Sequence, residues 1–115
     1  MEQEITSLLE KIVSFHTIEG ENATKRECLE WIAGTFLLSS DLHLTRGEVH
    51  EAPYLLLEHP EPKLLWFAHT DVVPGAREQF TIVQKGDKLY GRGAKDMKGA
   101  CIPFLLAYRK ACEDG

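Results

Sequence analysis

Apolar residues recur at Ile5, Leu8, Leu9, Ile12 and Val13, three or four positions apart, which is the spacing of one face of an α-helix. That helix is predicted to end before the turn-like pair Glu19-Gly20. A second helix starts near the capping residue Asn22 and carries Cys28, Trp31, Ile32 and Phe36 on its buried side. After Ser39-Ser40-Asp41 the pattern changes to strands: a weak alternation at Leu42 and Leu44, then the apolar runs Tyr54 to Leu57 and Leu64 to Ala68. Both runs are continuous, as expected of strands covered on both faces. His59-Pro60-Glu61-Pro62 connects them stiffly, because each proline fixes φ and removes a donor. Phe80 to Gln84 and Lys88 to Tyr90 flank Lys85-Gly86-Asp87 and predict a β-hairpin. From about Gly99, the residues Ile102, Leu105, Leu106, Ala107 and Ala111 predict a helix running to the end of the chain, with Pro103 tolerated only in its first turn.

This order of elements describes one α/β unit: two leading helices, then a mixed sheet with a hairpin, then a C-terminal helix. At 115 residues the chain has room for one domain at most, and 43% hydrophobic with 27% charged residues is an ordinary globular composition. The net charge of -5 comes without any run of Lys or Arg that could neutralise successive phosphates, so nucleic acid and anionic membranes are excluded as partners. Met1-Glu2-Gln3-Glu4 is acidic where a signal peptide is basic, and no apolar run approaches the roughly 20 residues of a spanning helix. A soluble, cytoplasmic protein is expected. Cys28, Cys101 and Cys112 are odd in number and lack Cys-x-x-Cys spacing, which argues against a disulfide framework and against a thiolate zinc site.

Two stretches carry chemistry. In Leu64 to Pro74, a buried strand delivers His69 at its end, where sheets of this kind bind ligands. Asp71, two residues on, can turn its carboxylate back onto the imidazole and fix which nitrogen is free for a metal. Taken alone, the pair reads equally well as a strand-end histidine capped by a nearby acid. In Gly91-Arg92-Gly93-Ala94-Lys95-Asp96-Met97-Lys98-Gly99, three glycines permit a backbone path that aims the Asp96 carboxylate inward, where its two oxygens could be shared between two ions. A phosphate-binding loop fits poorly: the dinucleotide fingerprint needs glycine where Asp96 stands, and no Gly-Lys-Ser or Gly-Lys-Thr follows. His16, His43, His50 and His59 read as surface or loop histidines, Trp31, Trp66 and Phe67 as core, and Arg92, Lys95 and Lys98 as solvated charges.

Together, Ala68 to Pro74 and Leu89 to Gly99 resemble the paired signatures of the zinc metallopeptidase and amidohydrolase family that contains aminoacylases, acetylornithine deacetylase, succinyl-diaminopimelate desuccinylase and related zinc carboxypeptidases. The resemblance implies the N-terminal portion of a three-layer zinc-exopeptidase-like catalytic domain over residues 1–115. It implies that His69 binds one metal, that Asp71 serves the catalytic centre by orienting it, and that Asp96 bridges two metals with a peptide bond to Met97 that is often cis. The implied cofactors are two Zn2+ ions, with Co2+ or Mn2+ as substitutes. The implied reaction is hydrolysis, by a two-zinc-activated water, of the amide or peptide bond of an N-acyl amino acid or small peptide. The family's general-base glutamate, its other ligands and its lid or dimerisation domain, through which the whole protein would form a homodimer, have no counterpart here. The chain is accordingly expected to be a fragment that is inactive alone. The rival reading is a non-catalytic α/β interaction module or a degenerate family member.

Overall fold

A computed structural model describes residues 2–36 and 42–114. The expected switch at Ser39-Ser40-Asp41 and the last residue of the final predicted helix lie outside them.

Helix α1 (Glu2–Ser14) forms where the heptad-like apolar face predicts it, and it buries Leu9, Ile12 and Val13. Helix α2 (Asn22–Phe36) buries Cys28, Ile32, Ala33 and Phe36, while Trp31 packs from the margin. The Glu21 carbonyl accepts from the Lys25 N–H at 3.0 Å, so the helical turn already engages the residue before Asn22. Helix α3 (Lys98–Asp114) adds Cys101, Ile102 and Leu105 to the same core. Complete burial of a side chain such as Ile12, Phe36 or Ile102 stabilises the fold by roughly 1.5–3 kcal/mol, so this three-helix contact is the main source of cohesion. Arg109 of α3 ties the two leading helices, with Nη2 on the Glu4 carboxylate at 2.5 Å and Nη1 on the Thr35 carbonyl at 3.4 Å. Pro103 lies inside α3 and not in its first turn, contrary to expectation. It is exposed, and lacking an N–H it leaves the Gly99 carbonyl without its helical donor.

The α/β class is as expected, but the strands form two antiparallel pairs in place of one mixed sheet. Strands β1 (His43–Val49) and β2 (Ala52–Glu58) pair from His43↔Glu58 to Val49↔Ala52. β2 alternates between exposed and half-buried positions, so the run Tyr54 to Leu57 is covered on one face only. The turn between β1 and β2 puts His50 and Glu51 at φ 50° and 70°. Arg46 pairs with Glu30 and Arg26 with Glu48 at 2.9 Å, tying the hairpin to α2 through half-exposed ion pairs of small energetic weight. A single-turn 3-10 helix, Arg77–Phe80, takes Phe80, the residue expected to begin the second hairpin, which is shorter: β3 (Val83–Lys85) and β4 (Lys88–Tyr90), with Gly86 at φ 67° in the turn.

Leu64 to Ala68, expected as a buried strand, takes no regular secondary structure and has no ladder partner among the described residues. A strand exists only through hydrogen bonds to a neighbour, and among the described residues no strand pairs with this segment. Leu64, Leu65 and Phe67 are about four-fifths exposed, at 85%, 78% and 80%. Trp66 turns the other way and stacks on Phe104 of α3 with ring centroids 3.7 Å apart and planes at 6°. The segment is thereby anchored to α3 through one side chain.

Candidate metal centre

The segment from Leu64 leads into His69, whose position is set from behind by the turn that leaves α1. The Thr17 hydroxyl donates to the Thr70 carbonyl at 2.5 Å, and the Val72 N–H donates to the Thr17 carbonyl at 3.0 Å. The Cys101 thiol lies 3.9 Å from the His69 carbonyl. Val72 is buried, which fixes the chain just past the histidine.

Asp96 is delivered by the glycine-bearing loop that precedes α3. Gly93 takes φ 82°, a conformation that side-chain-bearing residues rarely adopt, and its bare Cα packs against Val72. Gly93 accepts from the Lys98 N–H at 2.8 Å and Gly91 from the Ala94 N–H at 3.1 Å, which closes the loop onto the start of α3. A side chain at Gly99 would run into the Ala94 carbonyl oxygen, so the loop can fold back only over glycine. The Asp96-Met97 peptide bond is cis.

These two backbone devices bring the side chains singled out in the sequence to one place. His69 Nε2 stands 3.2 Å from Asp96 Oδ1. On the opposite edge of the ring, Nδ1 lies 3.2 Å from Asp71 Oδ1 and 3.1 Å from the Asp71 carbonyl oxygen. Both oxygens at Nδ1 accept, so in the tautomer that carries its proton there the lone pair of Nε2 faces the Asp96 carboxylate. In that tautomer two acceptors face each other at 3.2 Å, an arrangement that a cation between them satisfies. Donors about 2.0–2.2 Å from one tetrahedral zinc stand roughly 3.3–3.6 Å apart, so the pair fits a shared divalent ion with little adjustment. Among the described residues, no group of three or more His, Cys, Asp or Glu side chains gathers to hold a metal ion. The described residues thus offer two donors, short of the three protein ligands of a catalytic zinc site.

His69, Asp71 and Asp96 border an open cleft of about 610 Å³, together with Glu19, Lys25 and Arg92. The other histidines stay out of it. His16 stacks on Phe80 at 3.9 Å, His59 Nδ1 accepts from the Glu61 N–H at 3.0 Å, His50 holds the first hairpin turn, and His43 begins β1.

Lys98 departs from its reading as a solvated charge. It is fully buried, and its ammonium donates to the Phe15 carbonyl at 2.9 Å. Burial lowers its pKa, opposed by the neighbouring Cys28 and Cys101. Burial likewise raises both thiols, Cys28 to about 11. Arg92 is also engaged: its Nη2 donates to Gln79 Oε1 at 2.8 Å and its main-chain N–H to the Gln79 carbonyl at 2.7 Å. Phe67 is not core but exposed. Lys98 could have been found from its spacing to Ile102 and Leu105, which puts it on the buried stripe of α3. Nothing local marks Thr17.

Residues 65–115 match the model of peptidase family M20/M25/M40. The chain is similar to the succinyl-diaminopimelate desuccinylase of Gluconobacter oxydans (strain 621H), 42% identical over 66 residues that make up 54% of this chain and 17% of that protein. It is 27% identical over 112 residues to the protein of the same name from Rickettsia typhi (strain ATCC VR-144 / Wilmington), covering 89% of this chain and 29% of the relative. With that of Coxiella burnetii (strain Dugway 5J108-111) it shares 38% over 71 residues, covering 56% and 19%. The chain thus spans less than a third of the length of each of these relatives.

Proposed function

We propose, since residues 65–115 belong to peptidase family M20/M25/M40, that this chain supplies the first part of the metal centre of a hydrolase cleaving the amide of an N-acyl amino acid or small peptide. The relatives are named for removing a succinyl group from a diaminopimelate, and an N-succinyl amino acid is the substrate class to try first. The observation that carries the reading is the approach of His69 Nε2 to Asp96 Oδ1 at 3.2 Å, with Nδ1 held by Asp71.

In this reading His69 would hold zinc through Nε2, and the Asp96 carboxylate beside it would help to hold a pair of zinc ions. Bound zinc would supply Lewis acidity, making a nearby water a nucleophile at neutral pH and polarising the scissile carbonyl. Asp71 keeps the Nδ1 proton in place and so presents the ring in its ligating tautomer. Lys25 and Arg92 line the same open cleft as His69, Asp71 and Asp96. A general base and the further ligands are supplied by residues outside these 115. Residues 1–115 are then the N-terminal part of a catalytic domain, and a separate lid and dimerisation domain completes the substrate site in a soluble, cytoplasmic enzyme. Among the described residues no helix is long and apolar enough to cross a membrane.

The test is the zinc content and activity of the intact protein beside its His69→Ala and Asp96→Ala variants. Both variants are expected to lose zinc and hydrolysis of N-succinyl amino acids. Unchanged zinc content in either would remove that residue from the centre.

A further inference from the structure

The two ligand-bearing segments meet on a third piece of chain that no motif marks, the turn Phe15-His16-Thr17 at the C-terminal end of α1. Its Phe15 carbonyl accepts from two donors, the Thr17 N–H at 2.9 Å and the buried Lys98 ammonium at 2.9 Å. Lys98 stands two residues after Asp96. Its charge sits where the last carbonyls of α1 gather partial negative charge, the end of a helix that favours a cation. Thr17, fully buried, faces the other ligand segment and grips it twice, hydroxyl to the Thr70 carbonyl at 2.5 Å and carbonyl to the Val72 N–H at 3.0 Å. Thr70 and Val72 flank Asp71, and Thr70 follows His69 directly.

We infer that Thr17 and Lys98 are positioning residues, and that the 15–17 turn is a bridge setting the spacing between His69 and Asp96. The inference rests on the metal-centre reading of those two side chains. The Lys98 ammonium holds Phe15; the tight turn from Phe15 to Thr17 passes that constraint on; Thr17 fixes the main chain at Thr70 and Val72. Burial makes each bond exacting, because a polar group withdrawn from water has no substitute partner if its own is lost. The arrangement differs from ordinary support of a ligand by its outer shell. Neither Thr17 nor Lys98 touches an imidazole or carboxylate of the site, and the two act in series on opposite ends of one turn.

The experiment measures zinc affinity of the intact protein by chelator competition for Thr17→Val, Lys98→Met and the double variant, with the metal-free melting temperature as the control for folding. Each single variant is expected to weaken zinc about 10–100-fold, the range seen when groups behind metal ligands are removed. The double variant is expected to bind no more weakly than the weaker single, because two links in series fail once. The absorption bands of the cobalt-loaded protein are expected to shift in both singles, and Thr17→Ser, which keeps the hydroxyl, to restore both affinity and spectrum. Wild-type affinity in a folded Thr17→Val variant would overturn the bridge, as would losses that multiply in the double variant. If Lys98→Met does not fold, Thr17→Val against Thr17→Ser decides. His69→Ala separates the two ideas: if it leaves zinc binding intact, the centre itself is misassigned, whereas if it abolishes binding that Thr17→Val leaves untouched, only the bridge falls.

Discussion

Asp71 holds the Nδ1 edge of His69 twice, through its carboxylate at 3.2 Å and through its own main-chain carbonyl at 3.1 Å. One residue therefore fixes the ring with two acceptors, only one of which a mutation can remove.

Asp71→Ala is accordingly expected to weaken zinc binding only about 10-fold, the lower end for loss of a group behind a ligand, because the main-chain carbonyl still keeps the proton on Nδ1. Chelator competition measures it. A loss as complete as that of His69→Ala would mean that Asp71 is itself a ligand.

Gly86 and Gly99 are required for different reasons. Gly86 has φ 67° with open space where a Cβ would go, so Gly86→Ala is expected to cost only the strain of that conformation, about 1–2 kcal/mol. Gly99→Ala drives a methyl into the Ala94 carbonyl, forcing main chain to move two residues before Asp96, and is expected to cost about 3 kcal/mol. Urea denaturation of the two variants compares them directly, and Gly99→Ala alone should also release zinc. Equal stability losses would show that the loop does not press on α3 as described.

Alkaline pH acts on the core beneath the site. Burial lifts the Cys28 thiol from 9.0 to about 11, so the folded state holds a proton that the unfolded chain has given up. The stabilisation is complete below pH 9.0 and is lost as pH rises through about 11, a decline of about 2–3 kcal/mol from this group. Lys98 slopes the other way: burial lowers its pKa below 10.5, and its penalty is relieved as pH climbs toward that value. Cys28→Ala is expected to flatten the alkaline fall in urea midpoint, and Lys98→Met to steepen it. Identical slopes in wild type and Cys28→Ala would remove the thiol from the account.

The helices were legible because their apolar residues repeat at three and four positions, and the Gly86 turn because glycine announces a positive φ. The first hairpin was not, since its turn uses His50 and Glu51, neither of which signals the left-handed region. Leu64 to Ala68 was read as buried because apolar runs usually are; its exposure depends on what lies beside it, which no local pattern records. His69, Asp71 and Asp96 stood out through their motifs, and the structure puts His69 3.2 Å from its neighbour Asp71 and 3.2 Å from the sequence-distant Asp96. Thr17 escaped because its bonds reach Thr70 and Val72, contacts far along the chain from a residue of ordinary character.

The bare apolar row at Leu64, Leu65 and Phe67 has a kinetic side. Its main-chain amides and carbonyls can be claimed by whichever β-segment arrives first, whether from the same molecule or from another. Timing of assembly then competes with encounter between molecules, so dilution and slow synthesis favour correct pairing while crowding of nascent chains favours clumping. Trp66 on Phe104 holds one side of the row to α3 meanwhile, leaving the hydrogen-bonding margin as the part still to be claimed.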